Sequence, residues 1–205
     1  MARYRGPRIK VCRALGTILP GLTTAPTLTR PFPPGAAAQR RRPRTSDYKE
    51  RLQEKQKLRY HFGVLEKQFK RYVAEAARRK GPTGQNLLSL LESRLDNVVW
   101  RLGLAPTIPA ARQMVVHGHI MVNGGKVDRP SYSLSIGDEI GVHPKSLTKT
   151  FIQEAITNSA SQKRPPYLEF DPAKALGKMM TRPEAADIPF SINTQAVIEY
   201  YSQQL

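Results

Sequence analysis

The strongest hydrophobic pattern in this chain lies between Thr83 and Gly103. Apolar side chains recur there every three or four residues, as on one face of an α-helix, at Leu87, Leu88, Leu91, Leu95, Val98, Val99 and Leu102. Burying side chains of this number and size contributes about 10–20 kcal/mol gross, most of which chain entropy offsets. The pattern predicts one continuous helix as the spine of a core. Its opposite, polar face would carry Arg94, Asp96, Asn97 and Arg101.

Two helical patterns precede this spine and one follows it near the end of the chain. The first begins after Ser46 and runs to about Tyr60, with Asp47 as the expected N-cap and Glu50 at the third helical position. The second spans about 64–79 and ends before Gly81 and Pro82. The last, at about 192–201, predicts a helix that docks on an element formed earlier in the chain.

Residues 106–142 predict a short helix followed by a small, mostly antiparallel sheet. Thr107 is a suitable N-cap, and a helix is expected to end near His117. A strand over 119–122, the tight-turn sequence at 123–125 and a strand over 139–142 come next. Further strand pieces are expected at 126–127, 132–134 and 167–170, and a helix at 147–160. The predicted fold class is therefore α+β.

Positive charge is the feature that most restricts what the chain can bind. Lysine and arginine number 33 against 16 acidic residues, so the net charge is +17. Residues 1–80 hold 21 basic and 5 acidic side chains, whereas residues 81–205 hold 12 and 11. Such an excess favours a nucleic acid partner, with an anionic membrane surface or a merely solvated basic surface as alternatives. No apolar run reaches the roughly 20 residues that cross a bilayer, so no membrane-spanning segment is expected. Nucleic acid, and not a membrane, is the predicted partner.

The first 44 residues predict an irregular basic arm. They contain ten basic residues, no acidic residue and seven prolines, and they show no helical periodicity. With little apolar content, the arm is expected to be poorly ordered alone, either as a basic tail or as a segment ordered by RNA. No signal-peptide pattern is present, so the N-terminus is expected to be mature. The expected contacts in the arm are Arg3, Arg5, Arg8, Lys10, Arg13, Arg40, Arg41, Arg42 and Arg44.

The sequence shows no arrangement of residues that is typical of a catalytic site or a metal site. Cys12 is the single cysteine, so neither a disulfide nor a Cys-x-x-Cys zinc pair can form within the chain. His117 and His119 are close in sequence but lack a neighbouring thiol or carboxylate, which leaves turn residues or RNA contacts as better interpretations than a metal site. No phosphate-binding glycine motif occurs. We expect no enzyme activity, no metal and no cofactor.

Cations and amides that flank the predicted helices and the hairpin form the candidate RNA-binding set. Where a helix meets a hairpin, such side chains can bind phosphates and 2′-hydroxyls of folded RNA. The alternative is a solvated polar rim around a small domain. The candidates are Arg94, Arg101, Arg112, Gln113, His117, His119, Asn123 and Lys126, with Lys55, Lys57 and Arg59 from the first of the long helices.

Several motifs resemble a known family. The segments SRLDNVVWRLG (93–103) and ARQMVVHGHIMVNGG (111–125) resemble the RNA-binding module named after ribosomal protein S-four. Outside this module, MARYRGP (1–7), LQEKQKLR (52–59), GVLEKQF (63–69), TGQNLL (83–88) and IEYYS (198–202) resemble that ribosomal family itself. The resemblance therefore runs along nearly the whole chain and is weakest at 24–40 and 143–190.

The resemblance implies a division into three parts: the arm at 1–44, a helical domain at 45–92 to which 191–205 returns, and an RNA-binding domain at 93–190. It implies a structural role in the small ribosomal subunit, with primary binding to a junction in the 5′ domain of the 16S-type rRNA. That role includes early assembly, a position near the point where mRNA enters, contact with small-subunit proteins three and five, and an effect on translational accuracy.

Two details refine the resemblance. Many relatives carry four zinc-binding cysteines near the N-terminus, whereas this chain has Cys12 alone and so resembles the zinc-free form. The sequences LPGLT (19–23) and YYS (200–202) resemble the plastid and cyanobacterial branch. The expected location is therefore a ribosome in a plastid stroma, with an organelle-encoded protein, or in a bacterial cytoplasm.

Two other classes of protein use similar modules. A free-standing regulatory or stress RNA-binding protein is the first alternative, although it would not need residues 1–90. An RNA-modifying enzyme is the second, and it would need a catalytic domain larger than the segment from 143 to 205 can supply.

Overall fold

The computed structural model describes residues 4–28, 30, 32–35, 46–160 and 164–202. Over this part of the chain it contains eight α-helices and one five-stranded antiparallel sheet, which confirms the α+β class. The helices are α1 (Arg8–Leu15), α2 (Asp47–His61), α3 (Glu66–Arg78), α4 (Thr83–Glu92), α5 (Leu95–Arg101), α6 (Ile108–Val116), α7 (Thr150–Ala160) and α8 (Thr194–Ser202). The strands are β1 (Ile120–Val122), β2 (Gly125–Lys126), β3 (Glu139–Val142), β4 (Leu168–Asp171) and β5 (Leu176–Met179).

The chain divides into two compact units. The first runs to Leu87 and resumes at Ile188, and the second comprises Leu88–Asp187. The sequence predicted the domain limits at 92 and 190, whereas the units divide after Leu87 and before Ile188. The first of these divisions falls inside α4. A search of the described helices for one long and apolar enough to cross a membrane found none.

The first unit is a helical assembly in which α8 packs on α2 and α3. Phe69 and Val73 on α3 and Val197 and Tyr201 on α8 are buried, and the rings of Phe69 and Tyr201 are 5.9 Å apart. The cap of α2 differs from the prediction. Ser46, rather than Asp47, is the N-cap, and its hydroxyl accepts a hydrogen bond from the backbone N–H of Lys49 at 3.4 Å.

The arm contains a helix that the sequence pattern did not predict. Helix α1 follows Pro7 and ends at Gly16, whose φ of 67° is readily adopted by glycine. Cys12, Leu19 and Leu22 are buried in a small cluster against Tyr60 and Phe190. These contacts stabilise the short helix without a continuous apolar stripe, and they make the described part of the arm a packed element of the first unit.

The second unit has its sheet in the order β2-β1-β3-β5-β4, with every pair antiparallel. Its core contains the apolar faces of α5 and α6 and the inward residues of the strands, such as Ile120 and Ile140. The predicted bounds of β3 are confirmed, and the predicted helix at 147–160 is shorter, since α7 begins at Thr150. The predicted strand at 132–134 forms only a single bridge, between Arg94 and Ser133.

That bridge explains why the predicted continuous helix over 83–103 is wrong. The backbone of Arg94 is extended (φ −72°, ψ 139°), which separates α4 from α5. On either side, the N–H of Leu95 donates to the carbonyl of Tyr132 at 2.9 Å and the N–H of Leu134 donates to that of Ser93 at 2.8 Å. Ser93 and Arg94 therefore pair like strand residues instead of continuing the helix, while the apolar stripe stays buried on both helices.

Candidate nucleic-acid interface

The hairpin between β1 and β2 is fixed by Asn123 and Gly124. Both have positive φ, 49° and 76°, as a tight two-residue hairpin turn requires. The side chain of Asn123 accepts from the backbone N–H of Glu139 and donates to Asp138, both at 2.8 Å. Asn123, a predicted RNA contact, therefore has a structural role in holding the turn against β3.

Lys126 lies directly over the junction between α6 and β1. A methyl group built on Gly118 would lie 2.1 Å from Cε of Lys126 and 2.7 Å from its Nζ, so the lysine stem fills the space a larger residue would need. Gly118 also has a φ of 71°, which glycine adopts without strain. The ammonium group is thus held beside His117 and His119, whose rings are 6.1 Å apart.

His119 lies at the centre of a group of cations. Partial burial lowers its pKa below the ordinary value, and electrostatic interaction with the neighbouring Lys149, His117, His143 and Lys126 lowers it further. Its Nδ1 is 2.8 Å from the hydroxyl of Ser146. Neutral His119 consequently serves as a hydrogen-bonding partner, while the lysines carry positive charge.

This hairpin cluster (His117, His119, Lys126, His143 and Lys149) contains two residues that the sequence prediction missed. His143 and Lys149 are brought to His119 by the return strand β3 and the 3₁₀ turn at Pro144–Ser146. Neither the local hydrophobic pattern nor a motif marks them, because their proximity depends on the pairing of β1 with β3.

Arg94 was predicted to lie on the polar face of a helix and to contact RNA, but the structure buries it. Its side chain is 1% exposed and forms a paired, two-point contact with the carboxylate of Asp96, at 3.0 and 2.6 Å. Arg112 approaches the same carboxylate at 3.4 Å. A buried guanidinium in such a pair cannot reach a phosphate, so Arg94 stabilises the interior and Arg112 is only partly available.

Arg101 is likewise committed to an interior network. Its guanidinium contacts both carboxylate oxygens of Glu92, at 2.7 and 3.1 Å, and donates to the carbonyl of Asp187 at 2.8 Å. The carboxylate of Glu92 also accepts from Asn97 at 2.6 Å and from the hydroxyl of Tyr167 at 2.8 Å. Burial and the neighbouring Glu92 raise the pKa of Tyr167, which keeps the phenol protonated as a donor.

The candidates on α2 are also engaged within the protein. Lys55 is 4% exposed, and its ammonium contacts Glu66 at 2.9 Å and lies 4.6 Å above the ring of Tyr200. Lys57 contacts Glu54 at 2.5 Å, and Arg59 contacts Gln56 at 2.7 Å. These three cations stabilise the packing of α2 and are weaker candidates for RNA contact than the sequence indicated.

The described cations of the arm divide into two kinds. Arg5, Arg8 and Lys10 are exposed, as predicted for contacts. Arg13 instead donates from Nε to the carbonyls of Arg30 and Phe32, both at 3.0 Å, and so fixes the chain that follows. The remaining predicted contacts of the arm, Arg3, Arg40, Arg41, Arg42 and Arg44, lie outside the described residues.

An exposed basic surface on α3 was not predicted. Its apolar face is buried, whereas its outer side carries the exposed cations Lys67, Lys70, Arg71 and Arg78, followed by Arg79 and Lys80 beyond the helix. Glu75 pairs with two members of this group, at 2.5 Å to Arg78 and 3.2 Å to Arg79. We call these six residues the α3 basic surface.

No cluster of three or more histidine, cysteine, aspartate or glutamate side chains that could hold a metal ion was found in the described ranges. His117, His119 and His143 are grouped without an acidic or thiol ligand to complete a site. The chemistry available at the hairpin cluster is therefore that of hydrogen-bond donors and fixed cations, suited to binding an anion.

Comparison with known proteins defines the class of protein to which this architecture belongs. Residues 3–92 match the Ribosomal protein S4/S9 N-terminal domain, and residues 93–140 match the S4 domain. Proteins named small ribosomal subunit protein uS4 from Methylobacillus flagellatus, Nostoc sp. and Cyanothece sp. are 45%, 48% and 47% identical to this chain, respectively. Each alignment covers 100% of both sequences.

The chain belongs to the uS4 family of small ribosomal subunit proteins. It is accordingly a structural protein and not an enzyme. The resemblance drawn from the motifs is confirmed, including its similarity to cyanobacterial relatives.

Proposed function

We propose that this chain is a structural component of the small ribosomal subunit that binds folded rRNA through its phosphate backbone. One observation carries the proposal: cations of the hairpin cluster and of the α3 basic surface are exposed to solvent, while some of the acids are buried in pairs within the protein. Glu92 and Asp96, for example, are fully buried with arginine partners. Much of the net charge of +17 therefore lies at the surface, where it can bind a polyanion.

Membership of the family supports a more specific proposal for the role. We propose that it binds a helix junction in the 5′ domain of 16S-type rRNA early in assembly and nucleates that domain. Its neighbours would be small-subunit proteins three and five, near the point where mRNA enters, which would give it an influence on translational accuracy. Its location would be the ribosome of a bacterium or a plastid.

Chemical footprinting on protein-free small-subunit rRNA tests this role. The purified chain is expected to protect backbone positions around one junction of the 5′ domain before any other ribosomal protein is added. Protection that is absent, or that appears only after other proteins have bound, would contradict primary binding.

A charge-removing double substitution tests the hairpin cluster. Lys126→Ala with Lys149→Ala is expected to weaken binding to the rRNA by about 1–3 kcal/mol, because two charged contacts to phosphate are lost. The salt dependence of the binding constant should become shallower by about two in log–log slope. Filter binding or fluorescence anisotropy over a range of salt concentrations measures both effects.

A matched control removes the same charge from another part of the second unit. Lys174 and Lys178 are exposed and lie near Asp171 and Glu139, at 3.8 and 3.6 Å. Lys174→Ala with Lys178→Ala changes the net charge equally and is expected to leave the affinity nearly unchanged. Equal losses in the two double variants would mean that overall charge, and not the hairpin cluster, determines binding.

A further inference from the structure

A groove on the second unit has a chemical character that phosphate binding alone does not explain. It lies between α6 and α7, has a volume of about 680 Å³ and is lined mainly by apolar side chains. This volume falls within the range of roughly 300–1,000 Å³ typical of sites for small molecules. Met114 and Leu104 contribute buried apolar atoms to the lining, whereas Phe151 on α7 is 46% exposed.

The aromatic wall of the groove adjoins the hairpin cluster. The ring of Phe151 is 5.8 Å from that of His119, at an interplanar angle of 67°. Its remaining surface is open to solvent at the groove. An exposed aromatic ring beside cations is the usual arrangement for stacking a base of single-stranded RNA, whose phosphate is then neutralised nearby.

The charges around the groove favour an anionic occupant. The ammonium group of Lys149 lines it together with the hydrogen-bonding rings of His117 and His119, and Lys126 lies above the adjoining backbone of Gly118. Glu154 contributes the single carboxylate among the lining residues. The exposed amide of Gln113, also in the lining, can both donate to and accept from the edge of a base.

We propose that this groove takes one unpaired nucleotide of the rRNA, with its base against Phe151 and its phosphate beside Lys149 and His117. The inference rests on the proposed function, since it names a particular element of the rRNA that the second unit recognises. It adds a stacking contact, which depends on an unpaired base, to contacts that depend on the phosphate backbone alone.

Substitution of Phe151 separates stacking from charge. Phe151→Ala in the full chain is expected to weaken binding to a small-subunit rRNA transcript by about 5- to 150-fold, the range for loss of one stacked base. The salt slope should not change, because no cation is removed. Phe151→Trp should retain the affinity, and Phe151→Leu, which keeps an apolar side chain without an aromatic face, should lose it as alanine does.

The control is Tyr132→Ala, which removes an aromatic ring of similar exposure, 39%, from the same unit but outside the groove. It is expected to leave the affinity unchanged. Trp100, the single tryptophan, lies in the second unit, so its fluorescence verifies that each variant is folded. Ultraviolet cross-linking of the unsubstituted protein needs no variant, and should attach a nucleotide to the peptide that contains Phe151.

The outcomes distinguish this inference from the proposed function. Normal binding by Phe151→Ala or Phe151→Leu, or absence of a cross-link to that peptide, would overturn the nucleotide site and leave rRNA binding intact. If the Phe151 variants bind rRNA normally but are incorporated poorly into the subunit, a protein occupies the groove, and the nucleotide site is overturned as well. Failure of the unsubstituted chain to bind the transcript would overturn both.

Discussion

Replacing Glu92 by alanine is expected to reduce the free energy of unfolding of the second unit by about 3–5 kcal/mol, the range for breaking a buried ion pair from one side. The carboxylate of Glu92 is fully buried and is shared by Arg101, Asn97 and Tyr167, at 2.6–3.1 Å. Its removal leaves the guanidinium of Arg101, which is 8% exposed, without its principal counter-charge. It also removes the acceptor of the buried Tyr167 phenol, whereas the Asn97 amide keeps its hydrogen bond to the backbone carbonyl of residue 92.

Urea denaturation followed by the fluorescence of Trp100 measures this loss, because Trp100 adjoins Arg101 at 4.9 Å in the same unit. Glu169→Ala is the matched control: it removes an exposed glutamate from β4 and is expected to change stability by no more than about 0.5 kcal/mol. If Glu92→Ala costs less than about 1 kcal/mol, the network does not stabilise the unit in the manner that its geometry indicates.

The Glu92 network also shows why the sequence identified basic residues better than it identified their roles. Arg101 and Glu92 lie on separate helices that the hydrophobic pattern merged into one, and Tyr167 follows Glu92 by 75 residues. Local spacing cannot reveal such a partner. The sequence therefore predicted Arg101 as a surface contact, although it neutralises an interior carboxylate.

Secondary structure could be predicted where one local signal was sufficient. The cap at Thr107 is confirmed by its hydrogen bond from the N–H of Ala110, and the tight turn at Asn123 is confirmed by its backbone angles. Strand β5 was missed because it contains Gly177, a residue that normally weakens strands. A methyl group there would lie 2.6 Å from Leu102, so the glycine is explained by a tertiary contact that the local sequence does not show.

The same limit applies to the candidate interface. Counting charges correctly predicted a polyanion as the kind of partner, because the net charge depends only on composition. It could not separate cations paired inside, such as Lys55 and Arg94, from those held toward solvent on α3 and at the hairpin. The set of cations available for RNA therefore differs from the predicted one, because it lacks Lys55 and Arg94 and includes the α3 basic surface and Lys149.

This revised set of exposed cations predicts a steep dependence of rRNA binding on salt. If the exposed cations make about 8 phosphate contacts, the log–log slope of the binding constant against salt is expected to be roughly −6 to −7. Affinity should then fall by about 10³–10⁵ between 50 and 200 mM salt, because each contact releases counterions condensed on the RNA.

Anisotropy titrations of labelled 5′-domain rRNA at several potassium chloride concentrations measure the slope directly. Charge-reversing Lys67→Glu with Arg71→Glu on the α3 basic surface should make the slope shallower, whereas the same change at Lys174 and Lys178 should not. The buried cations Arg94 and Arg101 are not expected to contribute to the slope, because cations already neutralised by protein carboxylates release no counterions from RNA. A slope near −2 in the unsubstituted chain would mean that only about two or three phosphates are contacted. The proposal that many phosphate contacts hold the rRNA backbone would then be wrong.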